Sequence, residues 1–150
     1  MTNTGRDRWL IGQVGSEKDD ARVRLSRLEP LLARTDCALH VVQTQLRPAD
    51  RVVLDGLPNV ADHSAALADF ADTAALLSLM DLVISVDTAV AHIAGALARP
   101  TWLLLPFSAE WRWLTERADS PWYPTLRLFR QPAPGDWDGV LAAVMRALDA

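Results

Sequence analysis

The chain has one cysteine, Cys37, and one lysine, Lys18, in 150 residues. A lone cysteine excludes an internal disulfide and any metal site built from several thiolates, and it suits a reducing cytoplasm. No apolar run approaches the about eighteen residues that a membrane-crossing helix needs, and the opening MTNTGRDRW does not read as a signal peptide. Membrane insertion is therefore not expected. Basic charge is not in excess, the net charge being −4, which removes nucleic acid and anionic membrane surfaces as expected partners. No glycine-rich dinucleotide fingerprint follows the first apolar run, which argues against NAD; neither a cofactor nor a metal is expected. Repeats, low-complexity tracts and linkers are missing too.

What remains is a composition 50% hydrophobic, enough for one domain over residues 1–150 with a real core. Its organising stretch is Asp81–Pro106. Leu82–Val86 is a short, β-branched apolar run that predicts a strand buried on both faces. Asp87 and Thr88 are helix-capping types, and Val90, Ile93, Ala94 and Leu97 recur at helical spacing through 88–98. Arg99 and Pro100 end that helix, and Thr101–Leu105 is a second buried strand. Strand, turn, helix and strand in this order build a parallel sheet. The turn places Asp87, Thr88 and His92 where a helix N-terminus offers free N–H groups to an anion. Two readings are open from spacing alone: a phosphate site, or a capped helix with a packed histidine.

Around this unit the pattern predicts strands over Trp9–Val14, Cys37–Gln43, Leu57–Asp62 and Leu126–Gln131. It predicts helices over 21–34, with Pro30 as an irregularity, over Asp69–Met80 and over Asp136–Leu148. Residues Thr44–Asp50 read as a loop, and Arg51–Asp55 as a short helix end or strand. His40 is expected as a packed strand residue. The whole is a single Rossmann-like α/β domain with a mostly parallel sheet. Three of the tryptophans, Trp111, Trp113 and Trp122, fall close together. Trp122 and Tyr123 are expected to roof the carboxyl edge of the sheet, while Trp111 and Arg112 either roof it or face a ligand, Arg112 toward phosphate. Asp87, whose bare charge would repel a phosphate, is expected to be consumed by backbone hydrogen bonds at the turn.

SVDTAVAHIAGAL, followed by RPTWLLLPFSAEWRW and DSPWYPTLRLFRQ, resembles the C-terminal part of glycosyltransferase family 9, the lipopolysaccharide heptosyltransferases. The likeness extends to relatives fused behind tetratricopeptide repeats, and is densest over residues 67–150. It implies the donor-binding half of a GT-B fold, with a nucleotide-diphosphate sugar as ligand. Sugar transfer with inversion would then require a second GT-B domain for acceptor and catalytic base, a tetratricopeptide-repeat region being another possible partner. Carried over residue by residue, it implicates Asp87, Thr88, the backbone N–H of Ala89 and His92 at the diphosphate. Asp72 and Thr73, in DFADTA, become ribose or base contacts, with helix capping as the plain alternative. It makes Lys18, Arg22 or Arg24 the phosphate-neutralising residue of the first loop, and Gln43 or Gln45 a nucleotide neighbour. The alternative function is a non-catalytic nucleotide-binding or interaction module that keeps the fold.

Overall fold

A computed structural model describes residues 7–12, 23–43 and 46–150. Six strands form one sheet: β1 Asp7–Ile11, β2 Cys37–Val41, β3 Val60–Asp62, β4 Leu82–Val86, β5 Thr101–Leu105 and β6 Leu126–Arg130. Their order is β3-β2-β1-β4-β5-β6, and every pairing among them is parallel. The expected sheet is present, with no antiparallel strand among these six. All five residues of β4 are buried, as a central strand covered on both faces requires.

The helices are α1 Glu29–Leu32, α2 Pro48–Asp55, α3 Phe70–Ser78, α4 Ala89–Ala96 and α5 Trp137–Leu148. Side-chain alternation splits the core into two layers. On one face Trp9, Ile11, Leu39, Ile84, Val86 and Leu104 pack with Leu28, Leu31 and Leu32 near α1, Leu54 of α2 and Val140 and Val144 of α5. On the other, Leu10 and Val83 meet Leu77 of α3 and Val90 and Ala94 of α4. That second layer continues where Ala91 of α4 meets Leu103, Leu105 and Trp113.

Several predicted boundaries move. The first strand covers Asp7–Ile11, and residues 13–14 lie outside the described set. The helix expected over 21–34 is instead a 3₁₀ turn, Leu25–Leu28, followed by the single turn of α1. Pro30 there occupies a first-turn position, where its missing N–H costs nothing. The stretch read as loop up to Asp50 already contains helix, because Pro48 starts α2 for the same reason.

Candidate functional site

β1 pairs with β2 on one side and β4 on the other, so the direction of strand addition reverses between β1 and β4. In an open parallel sheet the crevice outside the carboxyl ends of two such strands is where ligands bind. Gly12 follows β1 at this edge, and Asp87 and Thr88 follow β4. Gly12 donates its N–H to the Ile84 carbonyl at 2.8 Å. A Cβ at position 12 would stand 2.5 Å from Ser85 Oγ and 3.1 Å from Val90 Cγ1. Only glycine lets the end of β1 approach β4 and α4 so closely.

Thr88 is the N-cap of α4, with extended backbone (φ −144°, ψ 175°) and no side-chain cap bond. Its carbonyl accepts from Ala91 N at 3.1 Å and His92 N at 3.4 Å. Among the described residues its hydroxyl has only long contacts, 3.4 Å to Ser85 Oγ and 3.4 Å to the Val86 carbonyl. The N–H groups of Ala89 and Val90 lie in the first turn, where helix geometry provides no intrahelical acceptor. Hydroxyl and amides are thus left at the positive end of the α4 dipole.

Asp87 is engaged differently from expectation. Its carboxylate is taken up by side chains: Oδ2 accepts from the Trp113 indole N–H at 2.9 Å, and Oδ1 lies 3.4 Å from His92 Nε2. His92 Nδ1 lies 3.0 Å from the Tyr123 hydroxyl. The imidazole is flanked by the rings of Trp113 at 5.5 Å and Tyr123 at 5.7 Å. Both side chains stay partly open, with exposures of 22% for Asp87 and 30% for His92.

Trp113 is fully buried and closes this wall, whereas Trp122 is 59% exposed and Trp111 75%. The roof is therefore Trp113, not Trp122, with the half-buried Tyr123 beside it. Trp122 lies outside, its indole N–H donating to the Arg112 carbonyl at 2.9 Å. The backbone after Trp113 is strained: Leu114 has φ 55° and ψ −169°, a region that β-carbon-bearing residues rarely enter. Arg130 fastens it by donating to the Leu114 carbonyl at 2.5 Å. Arg112 pairs with Glu110 at 3.0 Å and lies 6.0 Å from the Trp111 ring centroid.

Asp72 and Thr73 serve the start of α3. Asp69 caps it by accepting from Asp72 N at 2.9 Å, and Asp72 accepts in turn from Ala68 N at 3.0 Å. Thr73 is buried, and its hydroxyl donates to the Asp69 carbonyl at 3.1 Å. Gln43 is buried at the end of β2, and its N–H donates to Ser64 Oγ at 3.0 Å. Arg24 is exposed. Lys18, Arg22 and Gln45 lie outside the described residues.

A pair that sequence reasoning missed is His40 and His63, stacked with Nδ1 and Nε2 2.9 Å apart. Burial, then His63 and Arg8, hold the His40 pKa below its ordinary value. His63 follows the short β3, and nothing in its local sequence marks it as the partner of a residue in β2. Among the described residues no group of three or more His, Cys, Asp or Glu could hold a metal ion. Nor is any helix among them long and apolar enough to cross a membrane. A cavity of about 270 Å³, with none of its lining residues in this turn, is lined by Leu28, Leu31, Leu141 and Val144 and flanked by the Arg27–Asp138 ion pair.

Residues 51–105, from α2 through β5, match glycosyltransferase family 9 (heptosyltransferase). Protein FlbA of Caulobacter vibrioides is 38% identical over 81 residues, which is 54% of this chain and 13% of FlbA. E. coli heptosyltransferase WaaC, solved with ADP-2-deoxy-2-fluoro heptose, superposes with a TM-score of 0.67 at 17% identity over 99% of this chain and 44% of its own. The family 9 glycosyl transferase from Veillonella parvula gives 0.62 at 15% identity, over 99% and 46%. UDP-GlcNAc 2-epimerase from Neisseria meningitidis, bound to UDP-GlcNAc, gives 0.60 at 16% identity, over 97% and 36%. The chain thus spans less than half of each structure and about an eighth of FlbA. Its likeness to family 9 holds as expected from the motifs, and its fold is that of one α/β half of such proteins.

Proposed function

We propose that the chain is the donor-binding domain of a glycosyltransferase. The observation that carries this reading is the N-terminus of α4, which presents a hydroxyl without a cap bond at the switch point of a parallel sheet, inside the segment that matches family 9. The diphosphate of a nucleotide-diphosphate sugar would lie against Thr88 and the N–H groups of Ala89 and Val90. Those donors, with the helix dipole behind them, stabilise the negative charge that builds on the nucleotide as the sugar leaves. His92 supports the same turn. Asp72 and Thr73, where α3 begins, are the proposed ribose or base contacts, and Lys18 and Arg112 the proposed partners of the phosphates. Transfer proceeds with inversion and needs a second domain for acceptor and base, so the isolated chain binds donor without turning it over. The cytoplasm is the expected setting.

Calorimetric titration of the purified chain with ADP-, UDP- and GDP-sugars, beside a transfer assay, tests this. Binding of one nucleotide sugar without transfer is expected. Transfer by residues 1–150 alone would show that no second half is required, and failure of all three to bind would leave the non-catalytic interaction module as the reading.

A further inference from the structure

Tyr123 stands 31 residues from His92 in the chain, yet its hydroxyl lies 3.0 Å from His92 Nδ1. Room for its ring comes from Gly95, where a Cβ would stand 2.6 Å from Tyr123 Cγ. Ser120, itself buried, fastens the backbone below it by accepting from Trp122 N at 3.2 Å and Tyr123 N at 3.3 Å. Across the imidazole, Nε2 faces Asp87 Oδ1 at 3.4 Å. A neutral imidazole carries one N–H and one lone pair. A lone pair on Nε2 would point at a carboxylate, which repels it, so the proton belongs on Nε2 and Nδ1 accepts from the tyrosine O–H.

We propose that Tyr123 is a positioning residue for the anion-binding turn. Its hydroxyl bonds Nδ1 and fixes the ring of His92, so that Nε2 faces Asp87 Oδ1 while the Trp113 indole holds Oδ2, and the carboxylate stays against the wall behind the turn. The need for such a hold follows from where Asp87 sits, one residue before the N-cap of α4. Released, its carboxylate is within reach of the N–H groups of Ala89 and Val90 and would occupy them as an internal anion. The clamp keeps those amides open for a diphosphate. This inference rests on the nucleotide-diphosphate reading above, but its first test does not need a nucleotide.

Tyr123→Phe keeps the ring over Gly95 and removes only the hydroxyl. Long-range proton–nitrogen NMR on the ligand-free chain reads the His92 tautomer directly. The native protein should show a single tautomer protonated at Nε2, and in Tyr123→Phe the Nδ1 shift should move to that of a lone pair without a hydrogen bond. ADP affinity, measured by calorimetry, should fall about three- to tenfold in Tyr123→Phe, the scale of one neutral hydrogen bond. Asp87→Asn in that background should restore it, since an amide is no longer an internal anion; a merely structural tyrosine gives no such rescue. An Nδ1–H or averaged imidazole in the native protein overturns the clamp even if ADP binds, and so does an unchanged Nδ1 shift in Tyr123→Phe. If the native protein shows the clamped tautomer but binds no ADP, the nucleotide reading falls, and with it the purpose assigned here to Tyr123.

Discussion

The indole N–H of Trp113 donates to Asp87 Oδ2 across 2.9 Å and 26 residues of chain. That bond joins the turn after β4 to the 3₁₀ turn after β5, and it turns the wall of the candidate site into part of the core. Trp113 is fully buried while Trp122, nine residues on, is 59% exposed, so their truncations should separate. Trp113→Ala should cost about 3–5 kcal/mol, lowering the melting temperature by about 10 °C at this chain length. Trp122→Ala should stay within about 1 kcal/mol. Thermal unfolding of both variants checks this, and equal losses would place Trp122 in the core after all.

Thr88→Val tests the hydroxyl at the helix start. It keeps the shape, and because the native hydroxyl has only 3.4 Å contacts among the described residues, stability should hardly change. A hydrogen bond to a charged group is worth about 1.5–3 kcal/mol, so nucleoside diphosphate affinity should drop about ten- to a hundredfold. A free nucleoside, lacking phosphate, should bind as before. Unchanged diphosphate affinity in a folded Thr88→Val protein would move the site away from α4.

Gly95→Ala sets two effects against each other. Alanine favours a helix interior over glycine by about 1 kcal/mol. The new methyl, however, would stand 2.6 Å from Tyr123 Cγ and 3.1 Å from its Cβ, atoms near the backbone that cannot swing aside. Overpacking of this kind costs about 1–3 kcal/mol, so the net change should be destabilising, with His92 losing its tyrosine contact. A higher melting temperature for Gly95→Ala would show that Tyr123 is free to move.

The His40–His63 stack should make stability depend on pH. Burial first, then His63 and Arg8, lower the His40 pKa from 6.5. The unfolded chain therefore takes up this proton before the folded one as pH falls. The stability that the neutral ring contributes is fully present above about pH 6.5 and is lost as pH drops through the lowered folded value. Urea unfolding between pH 7.5 and 5 should show this decline, and His40→Leu should flatten it. Parallel profiles for the two proteins would assign the decline to other groups.

Much of this protein was determined by its sequence alone, wherever the cause is local. The buried strand Leu82–Val86 and the helix behind it follow from a β-branched run and a 3.6-residue period, all within fifteen residues; Thr88 takes the N-cap position, but its hydroxyl makes no cap bond. The same local rules, joined to the motifs quoted above, made the parallel α/β fold and the family likeness legible. Tertiary structure decided the rest. Trp113 and Trp122 have the same side chain, and which one enters the core depends on how the chain crosses the sheet edge after β5, a path with no periodicity to read. Asp87 met an indole from 26 residues away rather than its own backbone, and His92 met a phenol from 31 residues away. His40 met His63 only because β2 and β3 lie side by side. Each of these contacts is a pairing between segments distant in the chain, and such pairings exist only once the sheet has brought their ends together.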